Sequence, residues 1–184
     1  MPARVRRILG VDPGTVVTGY GIIDARGRRV ALVTFGVIRP GQTGAMPDRL
    51  AMIHRGIEDL IAHYDPDVLA VEEAFYGDNP KTAIKLGQAR GVILVLGALN
   101  DLEIAEYSPR LIKQAVVGKG GATKVQVQYM VRRILSLPEV PDPPDAADAL
   151  AVALCYALRP REVKLDGRRL TKAQKQLKEL GVLK

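Results

Sequence analysis

The sequence predicts an α/β fold with a mixed five-stranded sheet flanked by helices. Three runs of β-branched or alternating residues, 5–12, 19–24 and 29–38, follow one another with only short turns between them, which predicts an antiparallel meander. Two further strands, at residues 68–74 and 104–107, each follow a stretch with helical spacing, and the first of them has the continuous apolar character of a buried strand. Elements in this order indicate helices layered on a sheet.

Apolar residues at helical spacing predict the helices, and prolines and glycines predict where they end. In the first helix Leu50, Ile53 and Ile57 recur at this spacing, and the segment Asp65-Pro66-Asp67 ends it. Glycines at residues 118–121 separate the third helix from the fourth, and four prolines separate the last two. The later helices are predicted at residues 81–100, 109–117, 124–135 and 145–158.

The composition is that of a globular protein. With 184 residues, 47% hydrophobic and 26% charged, the chain can bury a core, which excludes disorder as its main state. No uninterrupted apolar run approaches the roughly 18 residues of a membrane span, and the apolar stretch after the first arginines is too short for a signal peptide. We therefore expect a cytoplasmic protein without a membrane segment. A single cysteine excludes an internal disulfide.

The positive charge is concentrated at the carboxyl end. Residues 160–184 contain eight Lys/Arg and three Asp/Glu, which accounts for five of the seven net positive charges. We therefore divide the chain into a folded domain, residues 1–159, and a basic tail, residues 160–184, whose residues 171–180 have helical spacing. A basic appendage suits a polyanionic partner, although charge alone does not select nucleic acid.

Four carboxylates are candidates for a common site. Asp12 ends the first strand and Glu72 lies in an equally apolar strand, where a carboxylate is costly to bury without a metal ion or a hydrogen-bond donor. Asp145 and Asp148 lie three residues apart at the start of a helix, and hence on one face. Taken singly, these acids have ordinary structural explanations: Asp12 as a turn residue, Asp145 as an N-cap or first-turn acid, and Glu73, next to Glu72, as a surface residue. Together, as oxygen ligands without His or Cys, they favour Mg²⁺ or Mn²⁺.

The turn Asp12-Pro13-Gly14-Thr15 has two interpretations. Such a turn wraps a phosphate in actin-like ATPases and sugar kinases, and a similar strand–turn–strand opening occurs in nucleases of the ribonuclease H-like superfamily. The first class requires two duplicated lobes, and we find no internal repeat. The segment 118–121 is not a phosphate-binding loop either, because Lys113 stands where its leading glycine should be.

Five sequence blocks, in order and in register, resemble the RuvC family of bacterial Holliday junction resolvases. They are Ile-Leu-Gly-Val-Asp-Pro-Gly at 8–14, Ala-Val-Glu-Glu-Ala-Phe at 70–75, Lys-Leu-Gly-Gln-Ala-Arg-Gly at 85–91, Lys-Gln-Ala-Val-Val-Gly at 113–118 and Asp-Ala-Ala-Asp-Ala-Leu at 145–150. The resemblance covers about residues 5–157. It implies a ribonuclease H-like fold, a homodimer, and Mg²⁺-dependent paired nicking of four-way junction DNA that leaves 5′-phosphate and 3′-hydroxyl ends.

The resemblance also implies roles for individual residues. Phe75 matches the family aromatic that stacks on an unpaired base, and Lys113 and Lys124 match basic residues of the DNA cleft. Two Mg²⁺ ions per subunit, with Mn²⁺ as a substitute, and a partnership with the RuvA–RuvB branch-migration complex are further implications. The family's catalytic, metal-binding acids fall on Asp12, Glu72, Asp145 and Asp148.

Three alternatives remain at this stage. The chain could be a phosphate-binding ATPase or kinase, a DNA-binding module whose acids are structural, or a relative of the YqgF-type RNA nucleases, which share the opening motif. The helix at 81–100 is apolar around most of its circumference and needs two apolar neighbours. We expect these to be the sheet and a partner subunit; the alternative is a core helix within one monomer.

Overall fold

The computed structural model describes residues 4–73 and 80–159, which form five strands and five helices. Phe75 and the tail at 160–184 lie outside the described residues, so the expectations for them stay predictions. The elements are β1 (Arg6–Asp12), β2 (Thr18–Arg26), β3 (Arg29–Ile38), α1 (Met46–Tyr64), β4 (Val68–Glu72), α2 (Pro80–Leu99), β5 (Glu103–Tyr107), α3 (Pro109–Val117), α4 (Lys124–Ile134) and α5 (Pro144–Leu158).

The sheet is mixed, as the sequence predicts. Its strand order is β3-β2-β1-β4-β5. The first three strands form the antiparallel meander, and β4 and β5 run parallel to β1. Because parallel neighbours present their carboxyl ends at the same edge, β1, β4 and β5 all end at one side of the molecule.

Helices cover both faces of this sheet and create two apolar cores. Successive side chains of a strand point to opposite faces, so Ile8 packs with α3, α4 and α5, whereas Leu9 packs with α1 and α2. Val68 and Leu69 on β4 divide in the same way. The result is a three-layer α/β/α arrangement with β1 and β4 at its centre.

Helix α5 is the most deeply packed of the described helices, with nine buried residues. It lies directly on β1 and β2, where a Cβ at Gly10 or Gly19 would overlap the α5 backbone. At its other end, the Tyr156 hydroxyl accepts a hydrogen bond from Arg6 and donates one to Glu103, both at 2.7 Å. The helix is thus held against the sheet at both ends.

The observed boundaries differ from the predicted ones by a few residues. Helix α1 begins at Met46, four residues before Leu50, the first apolar position that predicts it, because Pro47 is favourable in a first helical turn. It ends as predicted, with Asp65 in the left-handed conformation at φ 47°. Strand β4 ends at Glu72, so Glu73 lies beyond the strand rather than on its opposite face.

Helix α2 is the one described helix that is long and apolar enough to cross a membrane, with a mean hydropathy of 1.3. Length and composition are weak evidence, because core helices of soluble proteins meet the same criterion. Here Ala89, Ile93 and Leu96 pack against the sheet. The high mean hydropathy of α2 is therefore explained in part by the helix face that is buried in the protein core.

Candidate active site

Two of the four carboxylates meet at the carboxyl edge of the sheet. Asp12 is the last residue of β1 and Glu72 the last of β4, and the register pairs Val11 with Val71 immediately before them. The alternation of side chains along the two strands places both carboxylates on the α5 face. Adjacent parallel strands thus bring these two acids, 60 positions apart in the chain, side by side.

The other two carboxylates come from the first turns of α5. Asp145 and Asp148 lie three residues apart on one helix face. The absence of a side chain at Gly19 lets the backbone of Asp145 rest on β2. Asp145 and Asp148 both repel the Asp12 carboxylate, and Asp148 also repels Glu72, so the first turns of α5 face the ends of β1 and β4. The structure therefore brings together the four acids that the sequence singled out.

This crowding changes the proton affinity of the two strand carboxylates. Burial, and then repulsion by Glu72, Asp148 and Asp145, raises the pKa of Asp12 from 3.8 to about 8. Burial and then Asp148 raise the pKa of Glu72 from 4.5 to about 7. Both carboxylates therefore lack sufficient positive charge around them in the protein alone.

Two lysines supply part of the missing charge. The Lys124 ammonium at the start of α4 donates to Asp148 Oδ2 at 2.6 Å, and this hydrogen bond raises the pKa of Lys124. Lys113 on α3 is half-buried and opposes the rise in the Glu72 pKa. Both lysines line a pocket of about 220 Å³ together with Glu72 and Asp148. The predicted DNA-cleft lysines thus face the acidic cluster.

Two features of the site were not singled out in the sequence. The Thr18 hydroxyl donates to the Gly14 carbonyl at 2.6 Å, which closes the turn that follows Asp12. A capping box between Thr123 and Gln126 begins α4 and so positions Lys124. The spacing Thr-x-x-Gln is readable from sequence, whereas no local signal marks the contact of Thr18.

The donor set fits a hard divalent cation. It consists of carboxylate oxygens alone, and oxygen ligands suit Mg²⁺ or Mn²⁺. The raised pKa values of Asp12 and Glu72 show carboxylates that a cation would stabilise in their charged form. Within residues 4–73 and 80–159, no three acidic, imidazole or thiol groups already stand at the mutual distances of a metal cage. One oxygen of Asp148 is instead bonded to Lys124.

Comparison with known proteins identifies the family. The sequence model of "Crossover junction endodeoxyribonuclease RuvC" matches residues 8–156. The chain belongs to the RuvC family. The matched span contains Asp12, Glu72, Asp145 and Asp148, and it ends at Tyr156 on α5.

RuvC proteins of three bacteria are similar to this chain over most of their length. That of Desulforamulus reducens is 48% identical over 150 residues, which cover 82% of this chain and 92% of the relative. That of Syntrophomonas wolfei is 51% identical over 151 residues, 82% of this chain and 87% of the relative. The RuvC protein of Vibrio vulnificus is 50% identical over 150 residues, with coverages of 82% and 86%.

Solved structures show the same fold. The structure of T. thermophilus RuvC in complex with a Holliday junction substrate superimposes with a TM-score of 0.79 at 34% identity, and the match covers 83% of this chain and 93% of that one. The yeast mitochondrial Holliday junction resolvase has a TM-score of 0.63 at 16% identity, with coverages of 85% and 80%, which is a likeness of fold alone. The predicted ribonuclease H-like α/β fold is confirmed.

Proposed function

We propose that this chain is a structure-selective endonuclease that resolves four-way DNA junctions, in homologous recombination and DNA repair, by paired and symmetric nicks. The observation that carries the proposal is the placement of Asp12 and Glu72 at the ends of β1 and β4, with Asp145 and Asp148 in the first turns of α5 packed against the sheet. RuvC relatives covering 82% of this chain are named crossover junction endodeoxyribonucleases. A RuvC protein of the same fold has been solved with a Holliday junction substrate.

The four acids are proposed as the catalytic, metal-binding residues. Divalent ions, with Mg²⁺ as the natural cation, Mn²⁺ as a substitute and two ions per subunit, would supply activation of water and stabilisation of the leaving 3′ oxygen. Asp12 and Glu72 offer oxygens from the rigid sheet, and Asp145 and Asp148 offer oxygens from the first turns of α5. By resemblance to the family, cleavage is proposed to leave a 5′-phosphate and a ligatable 3′-hydroxyl.

The basic residues around the pocket are proposed to hold the DNA. Lys113 and Lys124 stand beside the acids, where an ammonium can neutralise charge that develops on the phosphate. Without these cations, a phosphodiester approaching four carboxylates would be repelled. Phe75, which follows β4 closely in sequence, is proposed to stack on an unpaired base near the junction centre.

Paired nicking requires two active sites, which we propose a homodimer provides. Helix α2 exposes Ile84, Val95 and Leu99, at 64%, 56% and 74% of their surfaces. Beside α2 lies an apolar pocket of about 460 Å³, bounded by Leu50 and Val92. Contiguous exposed apolar surface is typical of protein–protein interfaces, which supports a dimer contact on α2. A cytoplasmic location and a partnership with the RuvA–RuvB complex belong to the same proposal.

The proposal is tested with a mobile four-way junction labelled on one strand at a time. Incubation with Mg²⁺ is expected to give symmetric nicks in two opposed strands, and chelation is expected to abolish them. A linear duplex of the same sequence serves as the control for structure selectivity. ATP turnover without DNA would instead support a phosphate-binding ATPase. If the protein binds the junction but does not cleave it in either Mg²⁺ or Mn²⁺, it is a DNA-binding module rather than a nuclease.

A further inference from the structure

The ion pair between Lys124 and Asp148 joins a cation to one of the proposed metal ligands. The Nζ atom of Lys124 lies 2.6 Å from Asp148 Oδ2, the length of a strong charge-assisted hydrogen bond. Both partners are anchored: Lys124 begins a helix capped by Thr123, and Asp148 lies in the most buried helix. This pair is therefore a defined contact within the site.

The two lysines of the site are not equivalent. The Lys124 side chain is 56% exposed although it reaches Asp148, whose side chain is 21% exposed. Its charge also lowers the pKa of both Asp12 and Glu72. Lys113 lines the same pocket and lowers the pKa of Glu72 through its charge. Among the described residues, no ion pair is seen for Lys113. Lys124 thus acts as the counter-ion of the acidic cluster.

We propose that Lys124 is an exchangeable counter-ion, which holds Asp148 in the protein without DNA and is replaced there by the metal when its ammonium moves to a DNA phosphate. The inference rests on the proposed nuclease function. An exposed four-carbon side chain can move its ammonium by several ångströms without displacing α4. A phosphate in the pocket offers that ammonium an anion, and Asp148 Oδ2 then becomes available to a cation.

This exchange couples the two binding steps. A metal ion that binds without DNA must displace Lys124 from Asp148. This competition lowers the affinity of the site for the metal ion. Bound DNA removes that competitor, so DNA raises the affinity for metal. By linkage, metal raises the affinity for DNA by the same factor. The acidic cluster is thereby filled mainly when a substrate phosphate is present.

The first test measures Mn²⁺ binding to the DNA-free protein through the electron paramagnetic resonance signal of free Mn²⁺. Lys124→Gln is expected to tighten binding by about three- to fivefold, the value of a modest ion pair. Lys124→Arg, which retains a donor for Asp148, is expected to stay close to the unmodified protein. Lys113→Gln is the matched control, because it removes the same charge from the same pocket. Equal gains for both Gln variants, or none for Lys124→Gln, would overturn the proposal.

The second test measures the linkage on DNA. Junction affinity is determined in chelator and in Ca²⁺, with a denaturing gel to check that the DNA stays intact. The unmodified protein and Lys113→Gln are expected to bind more tightly in Ca²⁺, and Lys124→Gln is expected to lose most of that gain. An unchanged gain in Lys124→Gln would contradict the exchange.

These measurements separate the exchange from the nuclease function itself. If the unmodified protein binds Mn²⁺ with the expected dependence on Lys124 but does not cut junctions, the proposed function fails and the exchange survives. If it cuts junctions while both Gln variants bind Mn²⁺ equally, the exchange fails alone. Thermal unfolding of each variant identifies any loss of binding that comes from misfolding.

Discussion

Gly19 on β2 lies directly against the backbone carbonyl of Asp145 on α5, so that a Cβ at position 19 would overlap that oxygen. The contact fixes how closely the first turn of α5 approaches the sheet. Since Asp12 faces Gly19 across the β1–β2 ladder, the same contact sets the distance between the strand acids and the helix acids. Gly19, which has no side chain to take part in the reaction, thus determines the geometry of the site.

We predict that Gly19→Ala destabilises the protein and impairs nicking more than it impairs junction binding. Overpacking of this kind costs about 1–3 kcal/mol of unfolding free energy, and displacement of α5 separates Asp145 from Asp12. Urea denaturation and a junction cleavage assay measure the two effects. Gly121→Ala is the control, because a Cβ there meets no atom within 4 Å. If Gly19→Ala has unchanged stability and cleavage, the contact does not position the site.

The second prediction concerns the proposed metal ligands. Asp12→Asn, Glu72→Gln, Asp145→Asn or Asp148→Asn is expected to lower the nicking rate by more than about a hundredfold, since even outer-shell partners of a metal are worth 10- to 100-fold. Junction binding in chelator is expected to survive, because each change removes a negative charge that repels phosphate. Single-turnover cleavage and gel-shift assays measure the two properties.

Glu73→Gln is the matched control for these variants. Glu73 follows Glu72 directly, but it is exposed and lies beyond the strand. The Glu73→Gln variant is expected to cleave at the rate of the unmodified protein. Should any of the four acid variants also cleave at that rate, its residue is not a ligand.

The third prediction is a pH dependence of stability without metal. The folded protein keeps the proton of Asp12 up to a pKa of about 8, whereas the unfolded chain releases it near 3.8. Between these values the folded state binds more protons, so its stability falls as pH rises. Asp12→Asn cannot ionise and is expected to melt about 3 °C or more above the unmodified protein at pH 8.5.

Near pH 4 this difference is expected to become small, because Asp12 is then protonated in the folded state and only partly ionised in the unfolded chain. Calorimetry in chelator at pH 4, 6 and 8.5 checks the trend. Asp59→Asn, which changes an exposed carboxylate on α1, is the control. A difference in melting temperature that is constant across the pH range would refute the assignment to Asp12.

The fourth prediction places the subunit interface on α2. Val95→Glu puts a charge on its exposed apolar face and is expected to shift sedimentation from dimer to monomer at micromolar concentration. Val125→Glu on α4, an equally apolar but separate position that is 73% exposed, is expected to leave the dimer intact. A monomeric mass for the unmodified protein would exclude the interface altogether.

The fifth prediction concerns the basic tail. Lys172, Lys175 and Lys178 repeat every three residues, and as phosphate contacts each would contribute about 0.9 to the log–log salt slope of binding. Deletion of residues 160–184 is expected to weaken junction binding mainly at low salt and to leave the cleavage rate at saturating protein unchanged. Isotherms at several salt concentrations measure the slope. Equal slopes for the full-length and truncated chains would mean that the tail does not contact DNA.

Local pattern was sufficient to predict most elements. The residues of β3 and α3 are those that the sequence indicates, because alternation and helical spacing follow directly from which side chains must leave water. The boundaries at Met46 and Glu72 were less certain, since proline tolerance and strand pairing there depend on neighbouring elements. Asp12 and Glu72 could be identified because a carboxylate in or at the end of an apolar run is conspicuous in any sequence, and Asp145 and Asp148 because their spacing puts them on one helix face.

By itself the sequence determined the α/β class, the mixed sheet and the identities of the four acids, and five blocks in register indicated the family. Only the tertiary structure decided that Gly19 sets the approach of α5, that Thr18 closes the turn after Asp12, and that Lys124 rather than Lys113 binds Asp148. The physical reason is that periodicity reports which face of an element is buried, whereas hydrogen bonds and close backbone contacts depend on how separate elements are stacked. Those contacts exist only once α4 and α5 have packed on the sheet.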